Sequence, residues 1–254
     1  MDERFDGRVA LVTGAAGKGV GQATARRLAA GGARVVVTDV HERRTREVAA
    51  AIAADFPGTT VVGLPMDAGD RAQIDDVVAT VDDTLGPVQI LVNNAAVNVV
   101  GSIFDYDPAD WDWCLRVNLS GPWYLCRAVM PLMRDAGGGV IVNVSSYAAD
   151  VGGAGMEAPY AITKGGLNVL TRSCAHEGGP FNIRSVAVSL GIVKGTKFID
   201  DHPEILERGD TTGPLGSFAD ATEVAEAIAF LASDRARHIT GDILNIAAGA
   251  YMRN

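Results

Sequence analysis

The segment "RVALVTGAAGKGVGQATARRLAAGGARVVVTDV", residues 8–40, constrains the fold more than any other part of the chain. It opens on an apolar run at 8–13, the composition of a strand buried on both faces of a parallel sheet. Gly14, Gly19 and Gly21 follow, then a helix to about residue 30 that carries Ala23, Ala25, Leu28 and Ala29. A second strand, 34–38, ends at Asp39, 18 residues after the last of those glycines. Glycine lets the backbone turn tightly and lets a pyrophosphate approach a helix N-terminus, where free N–H groups and the helix dipole favour anions. A carboxylate closing the second strand can accept hydrogen bonds from an adenosine ribose. A glycine-rich string alone is often only a turn. In this strand–turn–helix–strand–Asp setting it reads as a dinucleotide site.

The rest of the chain continues the alternation. Apolar runs at 60–65, 88–92, 140–144, 184–188 and 243–246 are separated by amphipathic stretches at 42–54, 71–85, 108–133, 160–177 and 221–233. Seven strands with helical crossovers predict a doubly wound parallel α/β sheet in one domain spanning 1–254. The polar, glycine-punctuated stretch 194–217 interrupts this rhythm, with a short helix expected at 203–208. An insertion of this kind reads as a lid over a substrate.

Charge and composition narrow the partners. A formal net charge of −9 disfavours nucleic acid and anionic membrane surfaces. The first residues, "MDERFDGRVA", lack the apolar core of a signal peptide, and no run approaches a membrane span, so a cytoplasmic location is expected. Cys114, Cys126 and Cys174 are odd in number and lie in apolar helix-like segments, which reads as reduced core thiols. His41, His176, His202 and His238 are scattered, so no metal site is expected and none is assigned to catalysis.

Tyr160 and Lys164 lie four apart in "PYAITKGGLNVLT", and Ser146 precedes the tyrosine by 14 residues. Helical residues four apart share a face, so the Lys164 ammonium can sit beside the Tyr160 ring. A free phenol has a pKa of roughly 10. A fixed positive charge would lower that value, and a nearby serine hydroxyl could hold a substrate oxygen. In isolation such a pair is most often an ordinary surface contact. Beside a dinucleotide turn it reads as a proton-transfer site.

With these features together, the chain resembles the short-chain dehydrogenase/reductase family in its single-domain form. The resemblance runs from "GRVALVTGA" through "LVNNAAV", "RVNLSGPWYLC", "GVIVNVSS" and "YAITKGG" to "FLASDRARHITGDILNIAAG". It implies a Rossmann-type fold and reversible NAD(P)-dependent hydride transfer between a secondary alcohol and a carbonyl. Matched position by position, it makes Tyr160 the general acid/base. Lys164 would lower the tyrosine pKa and hold the nicotinamide ribose, and Ser146, rather than Ser145, would orient the substrate oxygen. Asn118 would kink its helix and hold a water leading from Lys164 to solvent. The cofactor-binding set it implies is Gly14, Lys18, Gly19, Val20, Gly21, Asp39, Asp67, Ala68, Asn94, Ala95, Tyr160, Lys164 and Val193, with Asn93 stabilising the sheet.

Four positions depart from the family pattern. Four residues, not three, separate Gly14 from Gly19, with Gly17 or Lys18 the extra one. Ala96 replaces a glycine, Leu190 replaces a proline, and Ala247-Ala248-Gly249 stands where Asp-Gly-Gly is usual. Two signals bear on the cofactor. Asp39 would repel a 2′-phosphate, whereas Lys18, Arg43 and Arg44 would attract one. A carboxylate facing a phosphate in a partly dry pocket outweighs one solvated lysine, so NAD is expected over NADP. Residues flanking the matched motifs, Asn98, Tyr147, Val151, Met156, Glu157, Phe198 and Ile199, are the expected substrate contacts. Glu157 could bind a substrate hydroxyl or face solvent. Gly165 and Gly166, costly in a helix interior, suggest either a close approach by another backbone or simple helix packing. Trp111, Trp113, Trp123 and Tyr124 suggest subunit contacts, and the resemblance implies a homotetramer. The competing reactions are reduction of a 3-oxoacyl thioester and, outside enzymes, a non-catalytic nicotinamide-binding sensor.

Overall fold

The structure is a computed structural model that describes residues 4–201 and 213–252, without the side chains of Phe198 and Asp201. His202, the helix expected at 203–208 and the Phe198 side chain lie outside what it describes. The strands are β1 (Val9–Thr13), β2 (Arg34–Asp39), β3 (Val61–Pro65), β4 (Val88–Asn93), β5 (Gly139–Ser146), β6 (Ile183–Leu190), β7 (Val193–Lys194), β8 (Ala219–Asp220) and β9 (Ile243–Ile246). Seven of them form one parallel sheet in the order β3-β2-β1-β4-β5-β6-β9. β7 and β8 form a separate two-stranded pair that the sequence did not signal. Each is two residues long, too short to carry a period.

The helices are α1 (Val20–Ala30), α2 (Glu42–Asp55), α3 (Arg71–Leu85), α4 (Pro108–Leu115), α5 (Gly121–Asp135), α6 (Ala148–Val151), α7 (Ala158–Gly178), α8 (Lys197–Asp201) and α9 (Ala221–Ala232). Every residue of β1 is buried because the sheet is covered on both faces. Ala10 and Val12 join a core with α1 and α9, while Val9 and Leu11 join a second core with α3 and α5. Strand alternation therefore divides one apolar run between two layers.

The single helix expected at 108–133 is two helices. A π-helical turn at Arg116–Ser120 separates α4 from α5. Its cause lies outside the helix. Asn118 donates from Nδ2 to the Val97 carbonyl and accepts at Oδ1 from the Val97 N–H, both at 2.8 Å. Gly121 restarts the helix so close to β3's end that a Cβ there would lie 1.9 Å from the Ala68 carbonyl oxygen.

The sheet order reverses direction between β1 and β4, which places the ligand crevice of such folds at the carboxyl ends of these two strands. Thr13 joins them, accepting at Oγ1 from the backbone N–H groups of Asn94 and Ala95, each at 3.0 Å.

Candidate active site

The glycine turn is held open by its neighbours. Asn94 donates from Nδ2 to the carbonyls of Thr13 (2.8 Å) and Gly14 (3.1 Å). Gly14 has φ +62, and a Cβ on it would lie 2.8 Å from the Cα of Ala95. A Cβ on Gly21 would lie 2.5 Å from the Asn94 amide nitrogen. The ends of β1 and β4 thus meet only because these positions lack side chains. α1 begins behind Gly19 with no side-chain cap and no acidic residue in its first turn, leaving its leading N–H groups for an anion. Gly17 faces open space and Lys18 is solvent-exposed, so the extra residue lies on the open side of the turn. Val20 is buried beneath it. This cradle fits a dinucleotide pyrophosphate.

Asp39 closes β2 beside the turn. Its carboxylate accepts from the N–H groups of Ala16 (3.3 Å) and His41 (3.2 Å). Burial pushes its pKa up, opposed by the Ala16 hydrogen bond and by the Arg44 charge. Arg43 is paired with Glu47 at 3.0 Å. At the end of β3, Asp67 accepts from the Gly69 N–H (2.8 Å) and pairs with Arg116 (3.1 Å), with Ala68 buried behind it. On the opposite rim, Val193 is buried in β7, and Thr196 follows it with its methyl 3.4 Å from where a Gly19 Cβ would be. Thr13 and Thr196 are the rim residues that motif reading did not single out. Both act through tertiary contacts that leave no local signal.

The candidate catalytic set converges from three elements. Ser146 ends β5, Tyr160 lies in the first turn of α7, and Lys164 follows one turn later. Asn118 reaches this group by a 3.2 Å hydrogen bond to Thr163 Oγ1. Ser145, the other candidate, is turned away and donates to the Lys164 carbonyl at 3.3 Å. Lys164 is 2% exposed, donates from Nζ to the Val144 carbonyl at 2.7 Å, and lies 5.4 Å from the Tyr160 ring centroid.

The expected lowering of the Tyr160 pKa is not what the protein produces. Burial pushes the phenol up to about 12, a hydrogen bond with Ser146 opposes this, and the Glu157 carboxylate adds to it. Burial likewise brings Lys164 down to about 8. Desolvation outweighs the attraction expected from a four-residue spacing, since the ammonium is directed at a backbone carbonyl.

The substrate side is built from two loops. Gly101 N–H donates to the Met156 carbonyl at 2.9 Å, and Tyr106 donates from its hydroxyl to the same carbonyl at 2.7 Å. Asn98 donates from Nδ2 to Glu157 Oε2 at 2.9 Å. The Met156 side chain is itself exposed, as is Val151, while Ile199 is buried. Burial, and then the Glu157 charge, raise the pKa of Tyr147. Gly166 lies 2.6 Å, at its would-be Cβ, from the Leu119 side chain, whereas Gly165 faces open space. Helix packing accounts for Gly166. A separate groove of about 710 Å³ runs between α5 and α7, past Trp123, Tyr124, Val169 and Phe181.

A family model described as enoyl-(acyl carrier protein) reductase matches residues 14–251. The chain is 38% identical over 247 residues to a (5R,7aS)-5-hydroxy-7a-methyl-1-oxo-2,3,5,6,7,7a-hexahydro-1H-indene-carboxyl-CoA reductase of Mycobacterium tuberculosis, covering 95% of this chain and 92% of that one. It is 34% identical over 253 residues to the 3-oxoacyl-[acyl-carrier-protein] reductase FabG of Escherichia coli strain K12, covering 98% and 99%. Among solved structures, L-sorbose reductase from Gluconobacter frateurii, complexed with NADPH and L-sorbose, superposes with a TM-score of 0.93 at 27% identity over the whole of both chains.

Proposed function

We propose, for a chain that belongs to the short-chain dehydrogenase/reductase family and is a nicotinamide-dependent oxidoreductase interconverting alcohols and carbonyls, that Tyr160 is the proton donor and acceptor at the reacting oxygen. The observation that carries this is the convergence of Ser146, Tyr160, Lys164 and Asn118 at the carboxyl end of the sheet, beside the open glycine turn. A phenol held near 12 stays protonated at neutral pH, so Tyr160 is poised to donate to a carbonyl oxygen during reduction. Ser146 holds that oxygen against the phenol. Lys164, one turn away, is placed to bind the nicotinamide ribose. Bound nicotinamide supplies the hydride in one direction and takes it in the other.

Asp39 supports NAD as the preferred cofactor, because a carboxylate closing β2 beside the glycine turn would repel a 2′-phosphate, and Arg43 is already paired with Glu47. Relative kcat/KM for NAD(H) and NADP(H) tests this. The wild type is expected to favour NAD(H), and Asp39→Ala to narrow the preference at least tenfold; a larger kcat/KM for NADP(H) in the wild type contradicts it. A second reading, reduction of a 3-oxoacyl thioester, is favoured by the two sequence relatives that act on CoA or carrier-protein substrates. A panel of secondary alcohols, ketones and 3-oxoacyl-CoA esters followed at about 340 nm separates the two. The whole chain acts as one catalytic domain, with the insertion that leaves β7 past Gly19 covering the substrate. No helix among the described residues is long and apolar enough to cross a membrane, and three free buried thiols suit a reducing cytoplasm.

A further inference from the structure

Resting on that reading, we infer that Glu157 is the substrate-selecting residue, and that it accepts a hydrogen bond from a hydroxyl next to the reacting carbonyl, making hydroxyketones and their diols the preferred substrates. The backbone is shaped to deliver this carboxylate. Residues Gly152–Gly155 all lie in the left-handed region, with φ of 73, 71, 50 and 78. Three are glycines, and Ala154 carries strain of order 1 kcal/mol in a conformation most side chains avoid. Gly153 brings this turn close enough that a Cβ on it would lie 3.0 Å from the Glu157 Cβ.

Glu157 stands at the N-cap of α7 but makes no capping hydrogen bond to the helix. Its carboxylate instead takes the Asn98 amide at Oε2, while Oε1 has no partner among the described residues. The bond to Glu157 is the side-chain hydrogen bond that Asn98 makes, and its Oδ1 is buried without a partner. Three residues before Tyr160 on the helix, the carboxylate shares the tyrosine's side of α7, and its charge is felt at the phenols of Tyr160, Tyr147 and Tyr106. A fixed, half-buried anion with one free acceptor oxygen beside the proton donor is a receptor for a hydrogen-bond donor. It is a poor neighbour for a plain hydrocarbon and for a second carboxylate.

Two ketone pairs differing by one hydroxyl test the assignment: 2-hydroxycyclohexanone with cyclohexanone, and acetoin with 2-butanone. A charge-assisted hydrogen bond predicts that the wild type favours the hydroxylated member by about 10- to 100-fold in kcat/KM. Glu157→Ala should bring that ratio to near one whatever happens to the absolute rates, with Glu157→Gln falling between. If Glu157→Ala does not fold, as judged by circular dichroism and NAD binding, Asn98→Ala serves instead and should lower the ratio by loosening the carboxylate. A wild-type ratio near or below one, or a ratio unmoved by these substitutions, overturns the inference and leaves the reductase reading standing. Absence of turnover on all four ketones, with activity on 3-oxoacyl-CoA esters, overturns the inference and leaves the reductase reading standing.

Discussion

Lys164 shows how a single residue sets stability against chemistry. Its ammonium is almost wholly removed from water, and burial takes its pKa from the ordinary 10.5 to about 8. Holding the charge there at neutral pH costs ~3 kcal/mol, an order-of-magnitude figure. The unfolded chain binds this proton more tightly than the native one between about pH 8 and 10.5, so the lysine's contribution to stability rises with pH across that window. Lys164→Met should therefore be at least as stable as the wild type at pH 7, with the advantage shrinking towards pH 10. Denaturant melts at several pH values check this, and a variant destabilised at pH 7 contradicts it. The Tyr160–Lys164–Ser146 set was legible as a candidate site only once the glycine turn and the family motifs stood beside the spacing, and Asp39 from its place at a strand end. The tyrosine's raised pKa was not, because desolvation depends on what packs around the ring rather than on the lysine four residues later. The sequence keeps both readings of Glu157 open, because its bond to Asn98, 59 positions away, is a tertiary contact with no local signal.

Among the elements, the glycine turn depends most on its exact residues. Gly14 has a left-handed φ and sits against the Ala95 backbone. Gly14→Ala should cost ~1–2 kcal/mol from backbone conformation, and more from the collision with β4's end. Its cofactor Kd should rise at least tenfold. Gly17→Ala, three positions on in open space, should be near neutral in both. Calorimetric titration and thermal melts distinguish the two; equal effects would contradict the account of the turn. The strand–helix rhythm was readable because apolar runs and glycines carry it locally. The π-helical break at Arg116–Ser120 was not readable from periodicity, since Asn118 reaches across to Val97 and Gly121 presses on the Ala68 carbonyl. The left-handed run at Gly152–Gly155 was also hidden, for glycines announce freedom without announcing which turn they make.

For the whole molecule, the apolar groove between α5 and α7 is apart from the catalytic group, and Trp123 (48% exposed), Val169 and Phe181 line it. Exposed apolar surface of this kind mostly serves association. The homotetramer that the family resemblance implies would bury it, so Trp123→Glu should reduce the mass seen in light scattering; a wild-type monomer contradicts that assembly. Proton transfer is assigned by the proposal to Tyr160, which hydrogen-bonds with Ser146 and lies one turn from Lys164 at the carboxyl end of a seven-stranded sheet. Its most direct test is kcat of Tyr160→Phe measured together with nicotinamide binding by fluorescence. We predict a loss of at least ~100-fold in turnover, the lower end for a general acid/base, with cofactor Kd within about threefold of the wild type. Turnover retained with cofactor bound would contradict the mechanism.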